Sequence, residues 1–293
     1  MGVILEKDSS AETRGARHAE ARAMARRAIA ALLAFCLVAL ALSACGGGGS
    51  SKSTSTDSST AAIAAAFGEH PGSHYGEDTV AKVGALTISR PFLNLWMTIE
   101  LGEDYYSLFK REAPDGLVAD PPNLPACVAA LQRLGATPAK GKVHLSTPQR
   151  RSKCEQLTQA IKAQALTFLV ASDWLINFDA AHGVNATDAE LGHAMKELET
   201  IRYPKPGQFE ASLRVRRRDL GEEMYLAKID ILQRNLQQRI EKEGNGSKLS
   251  KEASSAANTA ICRPGYVVTH CKEFRSPAYT GPAPGALLKE AVG

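Results

Sequence analysis

Residues Ser152 to Ala181 constrain the fold more than any other stretch of this 293-residue chain. At 100° per residue, Glu155, Gln159, Lys162, Asp173 and Asn177 fall within about 60° of one another. Leu157, Ile161, Leu166, Phe168, Leu169, Val170, Trp174, Leu175, Ile176 and Phe178 cover most of the remaining circumference. A helix with so narrow a polar stripe must be surrounded by other elements, so it is the expected centre of a helical core.

The flanking segments supply those elements. Thr79 to Ile88 is short, β-branched and broken by Gly84, which predicts a strand or extended segment with a turn. Ser89 can cap a helix over Pro91 to Lys110, with Pro91 in its first turn and Gly102 weakening its middle. A short helix is expected at Ala126 to Leu134, then a Gly/Pro/Lys loop to Pro148. Beyond Gly183, Thr187 and Glu190 form a capping-box pattern for a helix to about Arg202, ended by Pro204 and Pro206. Gln208 to Arg217 is a further short helix. Asp219 with Glu222 opens another to about Lys242, striped by Tyr225, Ile229, Leu232, Leu236 and Ile240. Lys248 to Ile261 reads as a polar, Ala-rich helix, and Pro277 onward as a frayed tail. The expected fold is therefore all-α and irregular, with a short extended segment leading into it.

The chain before this domain has a different character. Ala28 to Ala41 is uncharged and rich in Ala, Leu, Val and Ile, with Arg22, Arg26 and Arg27 just upstream. A basic region, a 14-residue apolar stretch and small residues at its exit make an export signal rather than a span of about 20 residues. Leu42-Ser43-Ala44-Cys45 resembles the bacterial lipobox, whose cysteine thiol takes a diacylglycerol and becomes the mature N-terminus. Met24 is a plausible true start, since a signal beginning Met24-Ala25-Arg26-Arg27 has normal proportions. The expected organisation is a signal at 1–44, acylated Cys45 with a flexible Gly/Ser/Thr tether over 45–75, a helical domain over 76–275 and a flexible tail over 276–293. That places the protein on the extracytoplasmic face of the cell membrane, held by lipid. Six of the 35 basic and four of the 31 acidic residues lie in 1–44, leaving a net charge of about +2. So small an excess argues against a nucleic-acid partner.

Four cysteines remain after Cys36 in the signal and Cys45: Cys127, Cys154, Cys262 and Cys271. An even number in an exported chain points to disulfides, and four allow three connectivities. Cys127–Cys154 and Cys262–Cys271 are favoured because each closes a loop rich in Pro, Gly or polar residues. A zinc site is the rival, but no C-x-x-C or nearby His pair supports it.

Val80-Ala81-Lys82-Val83-Gly84 with Thr87-Ile88-Ser89 and Phe92, then Asn185-Ala186-Thr187-Asp188-Ala189-Glu190-Leu191, Phe209, and the helix from Gly221 to Ile240 follow one another in an order that resembles the exported foldases of the SurA and PrsA type. Cys127, Cys154 and Cys262-Arg263-Pro264-Gly265-Tyr266-Val267-Val268 to Cys271 resemble their actinobacterial lipoprotein branch. The resemblance covers about residues 78 to 274 and implies a SurA N-terminal-like chaperone domain. Many relatives carry a parvulin-type prolyl isomerase domain before the terminal helix. Here only residues 241 to 261 are available for it, too few for a folded core. Nor do the parvulin active-site His and Cys/Asp have counterparts.

No G-x-S-x-G, H-E-x-x-H, P-loop or G-x-G-x-x-G pattern occurs. His70 and His74 lie four apart, but Pro71-Gly72 forbids the helix that would converge them on a metal. No catalytic residue, metal or cofactor is expected. Arg214, Arg216, Arg217 and Arg218 form the one basic cluster, readable as a contact for anionic headgroups or wall polymers. The blander alternative, pairing with Asp219, Glu222 and Glu223 on a solvated face, is preferred. Of the aromatics, Trp96, Phe109, Trp174 and Phe178 are assigned to the core, and Tyr105 and Tyr106, just before a loop, to contact with a client. The expected function is non-catalytic binding of unfolded or nascent exported proteins. A prolyl isomerase by kinship and an adaptor for one dedicated envelope protein are the alternatives.

Overall fold

The computed structural model describes residues 78–117, 124–134, 145–244, 247–255, 259–275 and 279–292. The signal at 1–44, Met24, Cys45, the tether with His70 and His74, and His144 lie outside the described residues. The described chain is mostly helical, with eight helices and one small sheet.

Strands β1 (Thr79–Val83) and β2 (Leu86–Ser89) form an antiparallel hairpin in which Val83 faces Leu86 and Ala81 faces Ile88. Its turn puts Gly84 at φ +58°, a conformation that glycine adopts without strain. A third strand, β3 (Ile261–Cys262), pairs antiparallel with the other edge of β1, giving the order β2-β1-β3. The polar helix expected to reach Ile261 ends at Ser255 instead, so that the chain is extended where it meets β1.

Helix α1 (Arg90–Phe109) starts as its sequence suggests: the Ser89 side chain accepts a hydrogen bond from the Phe92 N–H, and Pro91 occupies the first turn. Helix α2 (Leu124–Leu134) is fastened to the long helix α3 (Thr147–Ala181) by the Cys127–Cys154 disulfide. Cys262–Cys271 is the second disulfide, so both pairings agree with the expectation from loop composition. Helix α3 begins at Thr147 rather than Ser152, because Ser146 and Gln149 form a reciprocal capping box with Pro148 in the first turn.

The centre of α3 is buried on every side from Leu169 to Leu175. It packs against α1, α2, the hairpin, α6 (Leu220–Glu243) and α8 (Pro284–Val292). The Trp96 indole sits 4.7 Å from the Phe168 ring and 5.4 Å from that of Tyr225, joining α1, α3 and α6. The polar stripe of α3 is a docking seam. Asn177 Nδ2 donates to the Val83 carbonyl at 2.9 Å, and Lys162 Nζ donates to the Gly265 carbonyl at 3.1 Å inside the Cys262–Cys271 loop. Sheet and disulfide loop are thus both held on the side of α3 that looked solvent-like.

One boundary expectation fails. Residues 276–293 were expected to be a flexible tail, yet α8 buries Leu287 and Leu288 completely against α1, α2 and α3. Two adjacent leucines supply enough apolar surface to hold a helix whose leading Pro/Gly-rich stretch gives no helical signal.

Candidate client-contact surface

Between α3 and α6 the chain leaves the bundle as an arm. Gly183, at φ +66°, turns the chain, and the Thr187–Glu190 capping box starts α4 (Asp188–Glu197) as expected. Asn235 on α6 holds the arm's beginning through the Asn185 carbonyl (2.9 Å) and Glu190 Oε1 (3.0 Å). Leu191 is buried there. No residue from 192 to 208 is buried. In that span α4 continues into one π-helical turn (Leu198–Arg202), and Ile201 stands 72% exposed, the most open large apolar side chain among the described residues. Pro204 and Pro206 end the turn, and Gly207, at φ +72°, leads into α5 (Gln208–Val215), which returns to the bundle by burying Phe209 and Leu213.

The returning end of the arm is clamped by the arginines. Arg216 lies between two tyrosines, its guanidinium 5.5 Å from the Tyr106 ring and 5.9 Å from the Tyr203 ring, and Nη1 donates to the Tyr203 hydroxyl at 2.6 Å. Its Nε is 3.5 Å from Glu103. Arg217 adopts a left-handed backbone (φ 57°) and donates to the Ala113 carbonyl and to Asp115, at 2.6 and 2.7 Å. Arg218 is buried between Glu103 (2.5 Å) and Glu223 (2.6 Å). The reading of Arg216, Arg217 and Arg218 as contacts for an anionic surface is thereby corrected: carboxylates and a carbonyl of the same chain engage their guanidinium groups. Only Arg214 is exposed. The local alternative holds for Glu223, but the other partners come from the end of α1 and the loop after it.

Gly102 explains how the clamp comes so close. A Cβ there would lie 2.8 Å from the Arg216 carbonyl oxygen, so the residue that weakens α1 also admits the α5–α6 turn. Gly102, Glu103 and Tyr106 lie on one helical face, at i, i+1 and i+4, and this face receives the turn. Tyr105 lies on another. It is fully buried, packed 4.7 Å from Phe109, in register with Met97 and Leu101. The assignment of Tyr105 to client contact is therefore wrong, whereas half-buried Tyr106 reaches the root of the arm. Tyr203, Asp115 and Ile201 were not singled out from sequence. The glycine inside α1 and the Tyr203-Pro204-Lys205-Pro206 break were the signals available.

Trp96 and Trp174 are buried, as assigned. Trp174, Phe178 and His182 stack along α3 at centroid spacings of 5.0 and 4.2 Å. His182 presents Nδ1 to the Phe178 carbonyl (2.8 Å) and Nε2 to Glu252 (2.9 Å), so both nitrogens face acceptors. Those contacts, the carbonyl first, raise its pKa and favour the imidazolium. Ser172, Asp173, Asp179 and Tyr225 are the other notable polar groups of the interior. Burial pushes both aspartates up to about 7 and the Tyr225 phenol well above its ordinary value. All four are sealed from solvent. Cys262, Cys271 and Glu273 are the one set among the described residues close enough to share a metal ion, but the disulfide occupies both sulfurs. Among the described residues no helix is long and apolar enough to cross a membrane.

No protein-family model matches the chain, and neither a curated protein nor a solved structure matches it.

Proposed function

We propose that the mature chain is a lipid-anchored, extracytoplasmic chaperone-like module of the SurA/PrsA type without a parvulin domain, which binds non-native exported polypeptides and does no chemistry on them. The lipid on Cys45 ties it to the membrane. The observation that carries the reading is the arm at 192–208: a solvent-facing helical excursion with Ile201 at its π turn, braced at both ends by polar contacts. A bundle gains no core from such an arm, whereas a binder gains reach and an adaptable apolar contact on a fixed root. The isomerase alternative is disfavoured because only α7 (Lys248–Ser255) is described between α6 and β3, within a stretch too short for a second domain.

The dedicated-adaptor reading keeps one observation in its favour. Ile201, Leu220 and Ile261 are the only large apolar side chains exposed among the described residues, a sparse surface for a general holdase. Photo-crosslinking in cells from position 201 separates the two. Many exported proteins captured there support the chaperone reading, one protein supports the adaptor, and no adduct from 201 when Tyr106 gives adducts would move the contact off the arm.

A further inference from the structure

Helix α8 is held in the bundle by a small number of buried side chains. It follows the last disulfide, at Cys271, and is reached through the Pro/Gly-rich stretch from Ser276 to Gly285. Only Pro284, Leu287 and Leu288 are buried, while its other side chains are half-buried or exposed. Leu287 and Leu288 enter the space between α1, α2 and α3, with Leu108 near Gly285 and Lys153 paired with Glu290 at the margin. The groove has its own reinforcement. Its α2 wall is covalently joined to its α3 floor through Cys127–Cys154, next to Lys153, and Arg133 on α2 donates to the Asp115 carbonyl. These links between wall, floor and the loop after α1 do not involve α8.

We propose that α8 is a displaceable intramolecular occupant of a second peptide-binding groove, and that the groove takes an amphipathic helical client segment bearing adjacent leucines followed two residues on by a carboxylate. This is the pattern of Leu287-Leu288-Lys289-Glu290 itself, with Lys153 reading the carboxylate. The inference rests on the binding-module reading but uses a different surface from the arm. A tethered occupant competes at an effective concentration on the order of millimolar, so the groove opens to segments that bind better or are presented in excess.

The test uses the full chain in detergent, a fluorescent peptide of residues 279–293 as probe, and the double substitution Leu287→Asp/Leu288→Asp in the chain. The substituted chain should keep its helical circular dichroism and bind the probe at least ~10-fold more tightly than the unsubstituted chain, whose own α8 blocks the groove. A probe carrying the same two aspartates should not bind. In the unsubstituted chain, hydrogen exchange should release the α8 amides by local opening well before those of α3. Loss of helical signal in the substituted chain, absence of probe binding to it, or α8 amides as protected as those of α3 would each make α8 a fixed part of the core and overturn the inference. If that happens while crosslinking from position 201 still captures exported chains, the binding function stands and only the groove falls.

Discussion

Substituting Asp173 by Asn should stabilise the protein at neutral pH and leave it nearly unchanged in acid. Asp173 is 2% exposed, and its Oδ2 has no hydrogen-bond partner. Burial raises its pKa from 3.8 to about 7. Across that interval the folded chain holds a proton that the unfolded chain has released, so stability falls as pH rises. The slope is about 1.4 kcal/mol per pH unit, or up to about 4 kcal/mol over the roughly three units between the two values. Asparagine keeps the shape of the neutral acid and cannot ionise. The variant should therefore be more stable by about 2–4 kcal/mol at pH 8 and within about 1 kcal/mol of the parent at pH 4. Asp179, also raised to about 7 by burial, and His182, raised by its two acceptors, add slopes of the same sign. Adding Asp179→Asn should flatten the profile again. Glu190 and Glu252 are lowered in the fold, so their contribution is lost as pH falls through their folded values, and maximum stability belongs on the acid side of neutrality. Urea unfolding followed by far-UV circular dichroism from pH 4 to 8 measures this directly. An Asp173→Asn profile parallel to that of the parent would refute the argument that the buried carboxyl is protonated.

Gly102→Ala should cost about 1–3 kcal/mol, because its methyl meets the Arg216 backbone oxygen rather than a flexible side chain; thermal unfolding reports the loss, and limited proteolysis should show faster cleavage in the arm. Replacing Cys127 and Cys154 by Ser should lower stability by roughly 3.5 kcal/mol and replacing Cys262 and Cys271 by roughly 2.5 kcal/mol in the chain-entropy account, with denaturant midpoints ranking the pairs in that order. Cys45→Ala should leave an unprocessed precursor, and a mature protein of normal size and membrane location in that variant would contradict lipidation.

What was legible from sequence is what is encoded locally. The Thr187–Glu190 and Asp219–Glu222 boxes each span four residues, and both helices begin where those boxes put them. The disulfide pairings were readable because both join cysteines close in sequence. The Ser146–Gln149 box was equally local but followed a loop-like run of Gly, Pro and Lys, and so α3 was expected to begin too late. The arginine cluster shows the opposite limit. Its partners Glu103 and Asp115 lie about a hundred positions upstream, and no periodicity links them. Tyr105 and Tyr106 are adjacent, so sequence alone could not divide them; a 100° step places one in the core and the other at the clamp. Residues 276–293 misled through composition, since prolines and glycines hid the two leucines that α8 buries. The arm was missed because exposure depends on what surrounds a segment in three dimensions, which no window of sequence reports.

Assaying the full chain in detergent for aggregation of a reduced, exported-type client, and in parallel for X-Pro isomerisation, tests the central claim most directly. The account predicts suppressed aggregation at excess chain, weakened by Ile201→Glu, with isomerisation left at its uncatalysed time of tens of seconds or longer. Isomerase activity that a point substitution in the helical domain abolishes, or no effect on aggregation at excess chain, would contradict it.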